Sequence, residues 1–152
     1  MNNNDILRRI RYLFNFNDLK IVELFKLVNH NVDDETVSNW LKKDDDPLLQ
    51  EMTDKELATF LNGLIIEKRG KREGSLPKSE GRLSNNMILR KLKIALDLKT
   101  DDILDLFASI DKKISKHELS AFFRSPNHQS YRPFMDQYLR SFLNALQAKS
   151  KN

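Results

Sequence analysis

Polar residues that recur at a constant spacing of 82 positions are the first candidates for chemistry in this chain. The main pairs are Asn4 and Asn86, Arg8 and Arg90, Asp54 and Asp136, and Asn62 and Asn144, joined by Asn3 with Asn85 and Ser38 with Ser120. Burial in a core explains a repeated leucine, but it does not explain a repeated arginine or amide. These pairs therefore either hold each half of the chain together or line a groove that occurs in both halves.

Roles at helix ends account for most of these polar pairs. We interpret Asn4 and Asn86 as helix N-caps. The two aspartates fall in first helical turns, where the helix dipole favours a carboxylate, and the two arginines are predicted to pair with them. The remaining amides, Asn62 and Asn144, stand among Phe and Leu residues and are expected to hydrogen-bond across an interface. A structural role is thus predicted, with a functional groove as the alternative.

Positive charge is concentrated in residues 67–93, which contain nine basic and three acidic residues. Residues 1–66 contain eight basic and twelve acidic residues, and residues 94–152 contain nine and seven. The candidate contacts in the basic segment are Lys68, Arg69, Lys71, Arg72, Arg82, Arg90, Lys91 and Lys93. Such a patch would bind DNA, RNA or an acidic protein, although the segment has no aromatic residue on which a base would stack. A solvated, charged linker is the alternative.

Two segments have the pattern of a helix-turn-helix, one in each half of the chain. They read "FKLVNHNVDDETVSNWLKK", residues 25–43, and "FASIDKKISKHELSAFFRS", residues 107–125. Apolar residues fall where the two helices of such a unit would pack. Asn31 is expected to adopt the left-handed conformation in the first turn, since Asn tolerates it.

Charge distinguishes the two helix-turn-helix-like segments. A helix in the major groove approaches two phosphate backbones, so its flanks should be basic. The acidic residues at 33–35 and 44–46 would repel DNA from the first segment. Lys116, His117 and Arg124 are compatible with phosphate contact in the second. DNA contact is therefore predicted for the second segment, with three short helices closing a small core as the alternative.

The sequence gives little support to catalysis or to a bound cofactor. His30, His117 and His128 lack metal-ligand spacing, and there is no cysteine, Gly-rich phosphate loop or nucleophile elbow. The acidic residues at 44–46 are interpreted as a solvated loop. No window of 18 apolar residues and no secretory signal pattern occurs. We therefore expect a cytoplasmic protein that is not an enzyme and has no cofactor, metal or membrane partner.

The repeated residues belong to two copies of one sequence. Residues 3–70 align with residues 85–152 without a gap, and 15 of the 68 pairs are identical, against roughly four expected by chance. Apolar residues in each copy follow helical spacing. The prediction is an all-α tandem repeat of two four-helix domains, residues 1–68 and 85–152, with a basic linker at 69–84. Because each copy is small, the two are expected to pack together with pseudo-two-fold symmetry.

Cap residues define where several of the predicted helices begin. Asp18 and Thr100 are expected to cap the second helix of each copy, and Ser115 the third helix of the second copy. The fourth helix is predicted to begin near Thr53 in the first copy, with Pro133 in the first turn of its counterpart.

The motifs "NNDILRRIRYLF", "FLNGLIIEKRGK", "NNMILRKLKIALDLKTDDIL" and "FFRSPNH" resemble those of one bacterial family. This is the YehS-like family, whose domain of unknown function is numbered 1456. The resemblance covers essentially the whole chain, including the linker and the order of both copies. It implies a compact helical protein built from two copies of one domain, and it assigns no activity to any residue.

Taken together, these patterns predict a helical binding or regulatory module. The leading hypothesis is association with nucleic acid through the third helix of the second copy and the basic linker. The alternative is a protein-interaction adaptor that uses helical grooves and the acidic face of the first copy without binding nucleic acid.

Overall fold

The computed structural model describes residues 1–71 and 74–151, which form two compact units, Met1–Leu83 and Ser84–Asn152. The first unit contains α1 (Asn3–Phe14), α2 (Asp18–Lys26), α3 (Asp34–Trp40) and α4 (Asp54–Arg69). The second contains α5 (Asn85–Ala95), α6 (Thr100–Ala108), α7 (Lys116–Phe122) and α8 (Asp136–Ser150). Every helix of the first unit has a counterpart 82 residues later, which confirms the predicted all-α tandem repeat.

The first helix of each unit begins at a capping side chain that differs between the units. Asn2 caps α1 by accepting a hydrogen bond from the Asp5 backbone N–H at 2.8 Å, and Ser84 caps α5 by accepting from the Met87 N–H at 3.2 Å. Asn4 and Asn86 lie inside the first turns of these helices. The prediction that these two asparagines are N-caps was therefore wrong.

The second helices begin at the two residues that were predicted to cap them, so each cap position lies one residue earlier. Asn17 caps α2, and Asp18 is its first helical residue. In α6 the first helical residue is Thr100, and the Asp102 carboxylate accepts from the Lys99 N–H at 2.8 Å. A side chain three residues into the helix thus satisfies the terminal donor, so Thr100 is not needed as a cap.

The third and fourth helices confirm two of the predicted caps. Ser115 caps α7 and Thr53 caps α4, each within a capping box. Pro133 lies outside α8, which begins after Met135. The reason is that Asn86 holds the Phe134 N–H, so the chain remains extended beyond the proline.

Both units end their first two helices in the same way. A residue one to three positions after each helix has a positive φ, and these residues are Asn15, Asn29, Asp97 and Asp111. After α2, the His30 N–H reaches back to the Phe25 carbonyl at 3.1 Å, and after α6 the equivalent bond joins Lys112 and Phe107 at 2.9 Å. This is the Schellman pattern. The left-handed residue is Asn29, not the predicted Asn31, because this pattern requires the position directly after the helical turn.

The core of each unit is centred on its second and fourth helices. Phe25 packs between Trp40 and Phe60, with ring centres 5.5 and 6.3 Å away. Gly63 permits a close approach of α4 to α2, because a Cβ at this position would lie 2.1 Å from the Leu24 carbonyl oxygen. This packing fixes the orientation of α1 and α3, whose outer surfaces form the site described next.

Candidate functional site

A buried amide connects α1 to the loop between α3 and α4. Asn4 is 3% exposed, and its Nδ2 donates to the Trp40 carbonyl at 2.9 Å and the Gln50 carbonyl at 2.8 Å. Its Oδ1 accepts from the Met52 N–H at 3.0 Å. The side chain therefore satisfies three backbone groups that a hydrophobic core would otherwise leave unpaired.

The second unit repeats this arrangement at the corresponding positions. Asn86 Nδ2 donates to the carbonyls of Phe122 and Arg132 at 3.0 and 2.8 Å. Its Oδ1 accepts from the Phe134 N–H at 2.8 Å. The repeated asparagine is thus a structural residue, and it places the loop after α7 beside α5 just as Asn4 places the loop after α3 beside α1.

The repeated aspartates bind asparagines rather than arginines. Asn3 Nδ2 donates to Asp54 Oδ1 at 2.8 Å, and Asn85 Nδ2 donates to Asp136 Oδ1 at 2.7 Å. Asp54 Oδ2 also accepts from the Leu83 N–H at 2.9 Å. The predicted pairing of the repeated arginines with these carboxylates was wrong, since neighbouring asparagines already occupy the carboxylate oxygens.

The last repeated amides have different environments in the two units. Asn62 is 1% exposed, and its Nδ2 lies 3.4 Å from the Lys78 carbonyl and 3.5 Å from Ser79 Oγ. Asn144 is exposed on α8. Asn62 is therefore shielded from water and Asn144 is not, and the predicted hydrogen bond of Asn144 across an interface stays a prediction.

A cleft of about 480 Å³ opens in the first unit between α1 and α3. Arg8, Arg11 and Tyr12 line it from α1, Asp18 from the start of α2, and Ser38, Leu41 and Lys42 from α3 and the residues after it, so its lining has three cations and one carboxylate. The Nε of Arg11 is buried and has no hydrogen-bond partner among the described residues. The repeated Arg8 and Ser38 thus face one shared space.

The second unit has a cleft of about 450 Å³ at the corresponding place. Six of the seven positions that line the first cleft recur there as Arg90, Lys93, Ile94, Thr100, Ser120 and Phe123, and Lys116 and Leu119 complete the lining. The two clefts are therefore one feature of the domain that occurs twice. This recurrence supports the alternative that some repeated polar residues line a groove.

The arginine of the first cleft is neutralised by its own unit. Arg8 Nη1 donates to the Lys42 carbonyl at 2.7 Å, and its Nη2 contacts Asp5 Oδ1 at 2.5 Å and Asp44 Oδ1 at 3.1 Å. Burial disfavours the charged form of Asp5, but hydrogen bonds from the Asn2 N–H and Arg8 outweigh it and hold its pKa below the usual value. The Asp5 carboxylate is therefore ionised beside Arg8 at neutral pH.

The arginine of the second cleft has no such partner. Arg90 Nη2 donates to the Phe123 carbonyl at 2.7 Å, and no carboxylate within the described ranges forms an ion pair with it. The counterparts of Asp5 and Asp44 are Met87 and Pro126. The lining of the second cleft therefore contains three cations and no carboxylate.

The neighbours of Arg90 give the second cleft a lining that combines cations with apolar side chains. Lys93 Nζ lies 5.9 Å from the ring centre of Phe123. Lys116 Nζ lies 3.7 Å from Asp101, but both side chains are about three-quarters exposed, at 75% and 77%, so this ion pair is weak. Ile94 is 45% exposed at the rim.

The other predicted basic contacts lie outside the clefts. Lys68, Arg69 and Lys71 are exposed at and after the end of α4, and Arg82 is exposed in the first unit. Lys68 Nζ lies 4.6 Å from the ring centre of Phe14. Arg72 falls outside the described residues.

Predicted contacts in the second unit lie on α5 and around α7. Lys91 is half-buried on α5, His117 is exposed in the first turn of α7, and Arg124 is half-buried after that helix. Sequence reasoning did not assign Thr100 or Phe123 to a site. The recurrence of Ser38 as Ser120 was the signal that α3 and α7 each contribute to the cleft of their own unit.

The connections between the second and third helices are longer than in a helix-turn-helix. Residues 27–33 separate α2 from α3, and residues 109–115 separate α6 from α7. The usual turn has three or four residues. The helix-turn-helix interpretation and entry of α7 into a major groove therefore stay predictions.

Residues 1–71 and 74–151 contain neither a metal-ligand cluster nor a membrane-spanning helix. No three His, Asp or Glu residues in these ranges are placed to hold a metal ion. No helix within the same ranges is long and apolar enough to cross a membrane.

Comparison with known proteins supports the repeat and gives no activity. The model of a family described as "Protein of unknown function (DUF1456)" matches residues 3–70 and again residues 85–151. The chain is 42% identical over 150 residues to the uncharacterized protein YehS of Escherichia coli strain K12, an alignment that covers 98% of this chain and 96% of the relative. No solved structure matches the chain.

Proposed function

The chain belongs to the DUF1456 family of proteins of unknown function, and we propose that it is a nucleic-acid-associated binding module that acts through its second unit. The observation that carries this proposal is the second cleft, where Arg90, Lys93 and Lys116 converge and the lining has no carboxylate. Cationic side chains that neutralise phosphates release counterions, and this release drives nucleic-acid binding.

The surface around the second cleft extends the same chemistry. Lys116 and His117 are exposed in the first turn of α7, and Arg124 follows the end of that helix. Phe123 supplies an aromatic face beside the cations, which the basic linker lacks, and aromatic faces support base stacking. Both the charge and the ring therefore suit a polynucleotide.

The first unit is not proposed to contact nucleic acid. Asp5 and Asp44 form ion pairs with Arg8. Asp18 lines the first cleft at the position where Thr100 lines the second cleft. The carboxylates on Arg8 and in the cleft lining would oppose binding of a phosphate.

A protein-interaction adaptor is the alternative function, with the acidic residues of the first unit as its surface. Several of these charges serve local structure. Asp33 accepts from the Thr36 N–H at 2.7 Å, Asp46 accepts from the Leu48 N–H at 2.9 Å, and Asp44 pairs with Arg8. The observations therefore favour the cationic cleft. The proposed role is binding without catalysis, placed in the cytoplasm because the sequence has no cysteine.

Fluorescence anisotropy with labelled single- and double-stranded DNA and RNA tests the proposal. The affinity should fall as salt rises. The double variant Arg90→Gln with Lys93→Gln should bind about tenfold more weakly and reduce the salt slope by about two. The matched variant Arg8→Gln with Arg11→Gln, made at the corresponding positions of the first unit, should bind like the unmodified protein. The proposal fails if the unmodified protein binds none of these oligonucleotides at low salt, or if the two double variants weaken binding equally.

A further inference from the structure

We propose that the second cleft binds a phosphate group at Arg90, and that in the first unit the carboxylate of Asp44 pairs with the corresponding arginine, Arg8, in place of a phosphate. The inference rests on the proposed function, since it concerns the same surface and specifies the group recognised there. That group is a phosphate, carried either by a polynucleotide backbone or by a free nucleotide.

The loops that carry Asp44 and Pro126 have the same backbone conformation. In the first unit, the N–H groups of residues 46, 49 and 50 donate to the carbonyls of residues 43, 46 and 39, at 3.0 to 3.1 Å. In the second unit, residues 128, 131 and 132 donate to residues 125, 128 and 121, at 2.9 to 3.2 Å. Every donor and acceptor is displaced by 82 positions, so Pro126 stands where Asp44 stands.

The two arginines differ mainly in their anionic partners. Both donate to one main-chain carbonyl just after the third helix of their unit, although the Phe123 carbonyl used by Arg90 corresponds to Leu41 and not to Lys42, which Arg8 uses. Arg8 then contacts two carboxylates, whereas Arg90 has lost both, since Met87 and Pro126 replace them. A guanidinium offers five N–H donors in a planar fork that fits phosphate or carboxylate oxygens. Arg90 therefore presents donors for which its own unit, over the described residues, supplies no acidic acceptor.

The remaining lining favours a phosphate over a single carboxylate. Lys93 and Lys116 add two positive charges, and Thr100 and Ser120 add exposed hydroxyl groups that donate hydrogen bonds. A phosphate ester has three acceptor oxygens and, as a monoester, a charge near −2, so it uses several cations at once. Phe123 provides an adjoining apolar face for the sugar or base that carries the phosphate.

Titration of the full chain with phosphate compounds tests this site directly. Inorganic phosphate, adenosine monophosphate and a short oligonucleotide without a terminal phosphate would be added in turn while amide NMR signals are followed. All three probes should shift the signals of Lys93, Thr100 and Ser120, and the corresponding signals of Arg11, Asp18 and Ser38 should move little. A stronger response to adenosine monophosphate indicates a free nucleotide, and a stronger response to the oligonucleotide indicates a polynucleotide backbone.

Substitutions that add a carboxylate to one loop or remove it from the other test whether the Asp44 carboxylate takes the place of a phosphate. Pro126→Asp should weaken phosphate binding in the second cleft at least about fivefold, because the new carboxylate would pair with Arg90. Pro126→Asn is the matched neutral control and should bind like the unmodified protein. Asp44→Asn combined with Asp5→Asn and Asp18→Thr, which together remove the carboxylates near Arg8, should make the signals of the first cleft respond to phosphate. Pro126 lies in an exposed loop, and a thermal unfolding curve would verify that each variant is folded.

The outcomes separate this inference from the proposed function. If inorganic phosphate shifts the second cleft but no oligonucleotide binds, the phosphate site stands and the nucleic-acid function falls. If oligonucleotides bind while Pro126→Asp and Pro126→Asn behave alike, the nucleic-acid function stands and the inference is overturned. Phosphate-induced shifts spread evenly over both units would also overturn it.

Discussion

At the scale of single residues, the buried asparagine of each unit has the clearest structural task. Asn86 satisfies two carbonyls and one N–H in a part of the chain that is shielded from water. Replacement by leucine keeps the size of the side chain but leaves these groups unpaired, at a cost of about 1 to 3 kcal/mol for each buried group. We therefore expect Asn86→Leu to lower the free energy of unfolding by about 3 kcal/mol, measured by urea denaturation followed by circular dichroism.

The neighbouring asparagine provides the control for this prediction. Asn85 forms its hydrogen bond with Asp136 at an exposed site, where water replaces a lost partner. Asn85→Ala should therefore cost about 0.5 kcal/mol, near the lower end of the range for a single hydrogen bond. Equal effects of the two substitutions, or an Asn86→Leu protein as stable as the original, would contradict the assigned role.

The sequence identified these asparagines as unusual but assigned them the wrong role. Any of several residues can cap a helix, and the two units use Asn2 and Ser84 for this purpose. A buried amide that pairs with three fixed backbone groups has no such substitute, so it is the one retained in both copies. Its acceptors and donor lie more than 30 residues away along the chain, and helical periodicity carries no information about them.

At the scale of elements, the second and fourth helices of the first unit meet at a glycine, whereas the second unit has an alanine at the corresponding position. Gly63 lies where a Cβ would meet the Leu24 carbonyl at 2.1 Å, and backbone atoms cannot yield as a flexible side chain does. Gly63→Ala should gain about 1 kcal/mol of helix propensity and lose more than that from overpacking. We expect a net destabilisation of about 2 kcal/mol, seen as a lower midpoint of urea unfolding.

Ala145, the counterpart of Gly63 on α8, is the matched position for a control. It is 1% exposed, so a methyl group is already accommodated there. Ala145→Gly should cost about 1 kcal/mol through helix propensity. A Gly63→Ala protein that is more stable than the original would show that α2 can move away from α4, and the close approach would then not be required.

The sequence predicted that the eight helices exist more accurately than it predicted where they end. Apolar periodicity located all eight helices, because burial of one face dominates their stability. The left-handed residue was misplaced at Asn31 because Asn29 and Asn31 are equally suited by type. The hydrogen bond from His30 to Phe25 decides between them, and that bond depends on where α2 ends.

At the scale of the whole molecule, the repeat made the clefts recognisable but concealed their difference. The identical Arg8 and Arg90 were predicted to have the same partner, whereas the structure gives them different surroundings. The decisive residues, Asp44 and Pro126, lie in loops where the copies are not similar in sequence. Positions that are identical in the two copies therefore predict the fold that the units share. Positions that differ, such as Asp44 and Pro126, indicate where the units differ in charge.

The last part of the linker is held by the first unit, and protease cleavage should reveal this. The Thr59 hydroxyl donates to Ser79 Oγ at 2.8 Å, and Asp54 accepts from the Leu83 N–H at 2.9 Å. Lys71 is exposed, and exposed loop positions are cut first. Brief trypsin treatment should therefore cut after Lys71 before it cuts after Arg82, as identified by mass spectrometry of the fragments.

One substitution should change the order of these cuts. Asp54→Ala removes the acceptor of the Leu83 N–H, so the bond between Arg82 and Leu83 should be cut several times faster. Asn3→Ala removes the other partner of Asp54 but leaves Leu83 held, and it should keep Arg82 protected. Rapid cleavage after Arg82 in the unmodified protein would show that Asp54 does not anchor the linker, whereas protection lost only in Asp54→Ala would attribute the anchoring to this single carboxylate.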